Sequence, residues 1–429
     1  MKKTLLLIIL FTIHFFHAQK RTIFSQPLRS FVNDKKKLQT SNQILPGAYQ
    51  TIEYLPLLKN KRVAVFANQT SVIGNTHLVD SLKKLGVNIV KIFAPEHGFR
   101  GTADAGAKVQ TYTDEQTGIP VISLYGSKVK PSKEDLKDVD ILLFDIQDVG
   151  LRFYTYISSL QYFLESAIEN KKPIMILDRP NPNGFYVDGP VLDTAYKSFV
   201  GMQPIPVVYG MTIGEYATML YEERMLSEDI KKLLPPKSEK QTSPIIVIHC
   251  KNYTHRSRYT LTVNPSPNLP YMGSVYWYPS TCFFEGTVIT EGRGTDHPFQ
   301  IFGHPKLPDF LYNFTPHSKP GATEPKFKDQ LCYGWNLYGT NNTGTNTQIQ
   351  LKWLLQAYQL FPDKENFFLR PKKSNPAPKD YSFNRLAGNN ELMQQIIDGK
   401  TEEEIRKSWQ PKLEAFKKIR KKYLLYPDF

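Results

Sequence analysis

Five apolar, β-branched runs separated by segments of helical spacing restrict this chain more than any other feature. They are RVAVFAN (62–68), VNIVKIFA (87–94), IPVISLYG (119–126), VDILLFDI (139–146) and KPIMILD (172–178). Each reads as a strand buried on both faces, the condition of a parallel sheet. Helical spacing falls between and after them. It appears in THLVDSLKKLG (76–86), with Thr76 as cap and Gly86 as stop, and in PSKEDLKDV (131–139), opened by Pro131 and Ser132. It appears again in YISSLQYFLESAIEN (156–170) and TIGEYATMLYEERM (212–225). A further strand, IIVIHCKNY, follows the loop at 231–244. The alternation predicts an α/β fold over residues 46–262: a Rossmann-like, open, mainly parallel sheet with helices on both faces.

At 429 residues the chain exceeds one typical core, which predicts a second domain. Composition shifts to Pro, Asn, Tyr and Trp around VNPSPNLPY (263–271), so the boundary is drawn there. Residues 263–429 read as a smaller α+β domain that completes a cleft. They hold a short strand at GTVIT, long loops and two terminal helices. Thr401 and Glu404 form a capping box at the second helix. Trp409, Leu413, Phe416, Ile419 and Tyr423 recur on one face of that helix, as a core stripe does.

Lys2 and Lys3 precede TLLLIILFTIHFF, and Ala18 offers a small residue for cleavage. Residues 1–18 therefore read as a cleaved signal peptide, and 19–45 as a flexible N-terminus. The run is shorter than the roughly 20 residues of a membrane span. The protein is expected in the periplasm or the medium, with no membrane span after cleavage. Loss of Lys2 and Lys3 lowers the net charge from +14 to +12. Such a surface suits anionic wall polymers, and no nucleic-acid motif accompanies it. No motif sets the oligomeric state. Cys250, Cys282 and Cys332 form no C-x-x-C pair, which excludes a zinc-thiolate or redox motif and leaves them as small buried hydrophobes.

In open α/β sheets, ligands bind beyond the carboxyl ends of the strands. The first run exits at Asn68, the second at Glu96, His97 and Arg100, and the third at Tyr125 and Gly126. The fourth exits at Asp145, Gln147, Asp148, Arg152, Tyr154 and Tyr156, and the fifth at Asp178, Arg179 and Asn181. The unusual polar groups thus gather on one edge of the sheet. A dinucleotide site needs G-x-G-x-x-G after the first strand. NQTSVIGN (68–75) has one glycine, and no P-loop occurs, so no cofactor is expected. Glu96, His97, Asp145, Asp148 and Asp178 supply hard-cation ligands without H-x-H, H-E-x-x-H or D-x-D spacing; no metal is expected, and a metal-dependent hydrolase is kept as an alternative.

Acid–base chemistry remains. Glu96 lies in FAPEHGFRG between apolar Phe93, Pro95 and Phe99, which favours a protonated carboxyl. Its bland alternative is an ion pair with Arg100. EGTVITEGRGTDHPF carries Glu291 and Arg293 in a second glycine-flanked loop. Glu291 is the candidate second catalytic group, and an intradomain salt bridge its alternative. Glycoside hydrolysis uses such a pair. A non-catalytic wall-sugar binder fits the same polar cleft.

The ordered motifs FAPEHGFRG, FDIQDVGLRFYTY, LDRPNPNG, SFVGMQPIPV, GMTIGEYA, PSPNLP and EGTVITEGRGTDHPF resemble the exo-β-N-acetylmuramidase (NamZ-like) family of peptidoglycan turnover. The resemblance covers about residues 45–429. It implies a Rossmann-like domain, a smaller C-terminal domain, and release of N-acetylmuramic acid from non-reducing ends of peptidoglycan fragments, muropeptides included. It also implies that Glu96, the glutamate of the PEHG motif, is catalytic. Where the family reads His-Gly-Met-Thr, this chain has Tyr209 before Gly210, Met211 and Thr212. A tyrosine hydrogen-bonds but does not titrate near pH 7. The lactyl carboxylate of N-acetylmuramic acid suits a bidentate arginine, with Arg100, Arg152, Arg179 and Arg293 as candidates. Tyr154, Tyr156, Tyr276, Trp277 and Tyr278 are candidates for stacking on sugar faces.

Overall fold

The computed structural model describes residues 42–429 apart from His97 and residues 102–110, 237–242 and 341–346. The expected signal peptide, most of the expected flexible N-terminus and His97 lie outside the described residues. Seven strands form the main sheet: β1 (Arg62–Ala67), β2 (Asn88–Ala94), β3 (Tyr112–Thr113), β4 (Pro120–Ser123), β5 (Ile141–Asp145), β6 (Ile174–Leu177) and β7 (Ile245–Ile248). Their order is β3-β4-β2-β1-β5-β6-β7, and only the edge pair β3–β4 is antiparallel. The chain winds outward from β1 in one direction and then restarts at β5 in the other. The β1–β5 boundary, where Val63 pairs with Ile141 and Ala67 with Asp145, is therefore the switch point at which such sheets open a crevice.

Burial explains the strand runs. Every residue of β5 and β6 is buried, and only Arg62 of β1 is exposed. Val63, Val65, Ile92 and Leu143 face one layer, with helices α1 (Thr51–Leu58) and α2 (Leu78–Lys84). Phe66, Phe144 and Ile176 face the other, with α3 (Tyr156–Glu169), α4 (Ile213–Glu222) and α5 (Glu228–Leu233). The second core continues without a break into the C-terminal half, through α6 (Met272–Thr281), α7 (Lys352–Leu360), α8 (Ser382–Ala387), α9 (Glu391–Ile397) and α10 (Glu402–Arg420). Residues 44–429 pack as one compact unit. A small antiparallel sheet of β8 (Ile301–His304), β9 (Tyr312–Phe314) and β10 (Cys332–Asn336) sits in this half, in the order β8-β10-β9. Among the described residues no helix is long and apolar enough to cross a membrane.

Three local expectations need correction. His77, not Thr76, caps α2: its ring accepts from the Val79 amide. Residues 131–139 form turns instead of a helix, because the Asp135 carboxylate takes the Ser132 amide and hydroxyl at 2.6 and 2.7 Å. Such local side-chain bonds compete with the helical ladder. GTVIT forms only isolated bridges, Thr287 with Phe368 and Thr290 with Gly303. The capping boxes at Thr212/Glu215 and Thr401/Glu404 both form. Trp409, Leu413 and Phe416 are buried, and the three cysteines are buried and free.

Candidate active site

The strand exits carry two kinds of polar residue. One kind is turned into the fold. Asp145 and Arg179 form a bidentate pair, Nε–Oδ1 2.6 Å and Nη2–Oδ2 2.8 Å, with both side chains buried. Asp178 accepts from Thr212 Oγ1, the Gly214 amide and Tyr426 Oη at 2.6–2.8 Å, and burial pushes its carboxyl up to about 6. Gln147 and Asn181 donate to the carbonyls of Pro180 and Met211. Arg152 is fully buried and donates to the carbonyls of Pro190, Ile205 and Leu386. Arg100 pairs with Asp114 at 3.0 Å and Asp80 at 3.3 Å. These groups satisfy loop backbone and each other, as buried polar groups must.

The other kind meets in a cavity of about 220 Å³. Its polar wall is Glu96, Tyr125, Thr155, Ser266, Glu285 and Arg293; Phe153, Phe199, Val200 and Tyr278 supply apolar surface. Glu96 arrives there because β2 ends at Ala94 and the Gly98 amide closes a turn on the Pro95 carbonyl at 3.0 Å. Gly98 has φ 78°, a conformation that favours glycine. Phe99 is fully buried below the turn, with its ring 4.6 Å from that of His77. The Glu96 carboxylate accepts from Tyr125 Oη at 3.0 Å and, more weakly, from Thr155 Oγ1 at 3.4 Å. Burial and the Glu96 charge raise the Tyr125 phenol, which therefore stays a donor.

Tyr154 and Tyr156 also border this cavity. Both hydroxyls donate to the Pro265 carbonyl, at 2.8 and 3.3 Å, and Tyr156 accepts from Asn68 at 2.8 Å. They thus tie the loop that bears Ser266 to the exit of β1. Of the other candidate stacking residues, Tyr278 lines the cavity, Tyr276 packs on Phe185 and Trp277 on Trp353. Glu291 is buried behind the wall. Arg293 Nε lies 3.0 Å from its Oε1 and Lys326 Nζ 3.1 Å from its Oε2. The Lys326 ammonium donates its three protons to the carbonyls of Phe284, Thr287 and Ile289, so its hold on Glu291 is electrostatic. Burial raises the Glu291 carboxyl, but the charges of Lys326 and Arg293 outweigh it and hold the group below the usual carboxylate range. Glu285, at the other end of the same run, is the carboxylate that reaches the cavity.

Residues 63–273 match the N-terminal family model of exo-β-N-acetylmuramidase NamZ, and residues 276–426 the C-terminal one. The chain belongs to the NamZ family. It is 38% identical over 414 residues to the peptidoglycan β-N-acetylmuramidase NamZ of Bacillus subtilis, covering 91% of this chain and 92% of that one. Two crystal structures of DUF1343 family proteins from Bacteroides fragilis share the fold. One has TM-score 0.79 and 44% identity, the other 0.74 and 29%; each match covers 90% of this chain and all of the other.

In this NamZ-family chain Thr155 and Ser266 line the cavity without having been read from sequence, and so do Tyr125, read there only as a strand exit, and Glu285, read only as the partner of Glu291 in one motif. Tyr125 stands near the end of the third apolar run, two residues past the strand that ends at Ser123, where the strand-exit rule that selected Glu96 also reads it. Glu285 and Glu291 lie six positions apart in one motif, and only the path of the loop distinguishes them.

Tyr209 stands where the resemblance implies a histidine. It is buried and donates to Asp148 Oδ2 at 2.5 Å, beside the Gly150 amide at 2.6 Å. Burial pushes the Asp148 carboxyl up to about 7 against those two donors. An unfolded aspartate titrates near ~4. The buried acid therefore stabilises the fold fully below about pH 4, and that stability is lost as pH rises to about 7. Asp148→Asn, neutral at every pH, should flatten thermal melts across this window. The effect is at most about 4 kcal/mol, and Asp178 leaves a smaller slope. A variant profile as steep as wild type would refute the assignment.

Proposed function

We propose that this chain is an exported, exo-acting glycosidase that releases N-acetylmuramic acid from the non-reducing ends of peptidoglycan fragments, with Glu96 as general acid/base. The observation that carries this reading is Glu96 on the wall of a part-polar, part-aromatic cavity, with Tyr125 Oη 3.0 Å from its carboxylate. Family membership supports the reaction class. The basic leader and the apolar run after it support export.

Protonated Glu96 gives its proton to the glycosidic oxygen as the C1–O bond breaks. The ionised carboxylate then takes a proton from the water that attacks C1, or that releases a covalent intermediate. Tyr125 donates to the carboxylate and orients it between these steps. Glu285 is the second carboxyl group on the same wall, and the substrate's own N-acetyl oxygen is the competing nucleophile. Glu291, ionised and paired with Arg293 and Lys326, supports the wall from behind.

Chain recovered from the exported fraction of an expressing bacterium should begin at Gln19. It should liberate the chromophore from a nitrophenyl β-glycoside of N-acetylmuramic acid. Saturable binding of the glycoside with no product after long incubation would instead make it a wall-sugar binder.

A further inference from the structure

The muramidase reading leaves open how the site tells N-acetylmuramic acid from N-acetylglucosamine, which lacks the lactyl carboxylate on O3. Of the four candidate arginines, three are used up inside the fold. Arg100 holds Asp80 and Asp114, Arg152 holds three carbonyls, and Arg179 holds Asp145 through both prongs of its fork. Arg293 is the one cation among the described residues that line the cavity. We propose that Arg293 is the specificity-determining residue of this site and reads the lactyl carboxylate of the terminal sugar; this rests on the muramidase reading.

The loop is built to hold that guanidinium still. Arg293 stands between Gly292 and Gly294, with φ 80° and 82°. A Cβ on Gly292 would come within 2.1 Å of the Ile301 carbonyl oxygen, and one on Gly294 within 2.6 Å of that of His317. Neither position tolerates a side chain without moving the backbone. The Phe299 ring backs the guanidinium at 5.2 Å from Cζ, and Glu291 fixes Nε from the buried side. Lys326 offsets the Glu291 charge separately, so the pair does not cancel Arg293.

On the cavity side Nη2 donates to Glu285 at 2.6 Å, while Nη1 donates to no group among the described residues. The Glu285 side chain is 30% exposed and has room to turn away. An incoming carboxylate takes Nη1 and displaces Glu285, exchanging one charged partner for another. A neutral 3-hydroxyl offers the arginine no equivalent exchange. Anionic sugars are thereby favoured over neutral ones at the same position.

The test compares kcat/KM for nitrophenyl β-glycosides of N-acetylmuramic acid and of N-acetylglucosamine in wild type, Arg293→Lys and Arg293→Gln. Taking the ratio within each preparation cancels any loss of folded protein caused by stranding Glu291. Wild type should prefer the muramic glycoside. Arg293→Gln should reduce the preference by about 30-fold or more, the scale of one desolvated charge pair. Arg293→Lys, which keeps the charge and loses the fork, should fall between. A ratio within about threefold of wild type in Arg293→Gln, or a wild type that cleaves both glycosides equally, overturns the proposal. A wild type that cleaves neither glycoside overturns the muramidase reading beneath it. If Arg293→Gln cleaves nothing, calorimetric binding of the two free sugars decides: lost preference supports the proposal and retained preference overturns it.

Discussion

Glu96→Gln should lower kcat about 10²- to 10⁴-fold on a muramic-acid disaccharide, the usual range for a positioned proton donor. The substitution keeps the shape of the side chain. The amide oxygen still accepts from Tyr125, whose hydroxyl lies 3.0 Å from the native carboxylate. The folding free energy should therefore stay within about 0.5 kcal/mol of wild type, since this hydrogen bond survives the change. What is lost is the exchangeable proton, so KM should change far less than kcat. Leaving group separates the acid role from a nucleophilic one. Nitrophenolate departs without a proton, so the loss on a nitrophenyl glycoside should be clearly smaller than on the disaccharide. Equal losses on both substrates would reassign Glu96 as the nucleophile, and unchanged turnover would remove it from the chemistry.

The sequence announces its sheet and conceals the direction of its side chains. The runs that became β1, β5 and β6 are legible because strands covered on both faces cannot afford polar residues, so apolar continuity survives in the chain. The strand-exit rule then locates main-chain positions correctly: Asn68, Glu96 and Asp178 follow strands of one sheet, and Asp145 is the last residue of another of its strands. It cannot say whether a side chain leaves toward solvent or returns to the fold. Glu96 faces the cavity, whereas Asp178 and Arg152 turn back to buried hydroxyls, amides and carbonyls that need partners, and Asp145 turns back to the Arg179 guanidinium. Glu285 and Glu291 pose the same difficulty within seven residues. The left-handed turn at Gly292 and the Lys326 ammonium decide which is buried, and Lys326 lies 35 positions away in sequence, beyond any local pattern. The failure at 131–139 is of another kind. Pro131 and Ser132 are good helix openers, yet Ser132 also makes a good turn with Asp135, and neither reading outweighs the other without tertiary context.

The largest expected loss of stability comes from the switch point itself. Asp145→Asn should destabilise the fold by about 3–5 kcal/mol, the cost of leaving a buried charge without its partner. Arg179 is 4% exposed, and its remaining hydrogen bond, to the Val72 carbonyl, is long at 3.3 Å. An amide oxygen replaces at most one of the two carboxylate contacts, and its NH₂ group faces a guanidinium that can only donate. The damage should also reach the cavity. Ser71 Oγ donates to the Asp145 carbonyl oxygen and accepts the Asn68 amide, and Asn68 in turn anchors Tyr156 and, through it, the loop at Pro265. Chemical denaturation should therefore show a lower midpoint at an unchanged slope, since the surface exposed on unfolding is the same. The double variant Asp145→Asn/Arg179→Met should recover part of the loss, because it removes the stranded charge as well as its partner. A single-variant loss below about 1 kcal/mol would mean that water reaches Arg179 and that the pair is surface-like in energy. A double variant no more stable than the single one would mean that Arg179 matters for its packing and not for its charge.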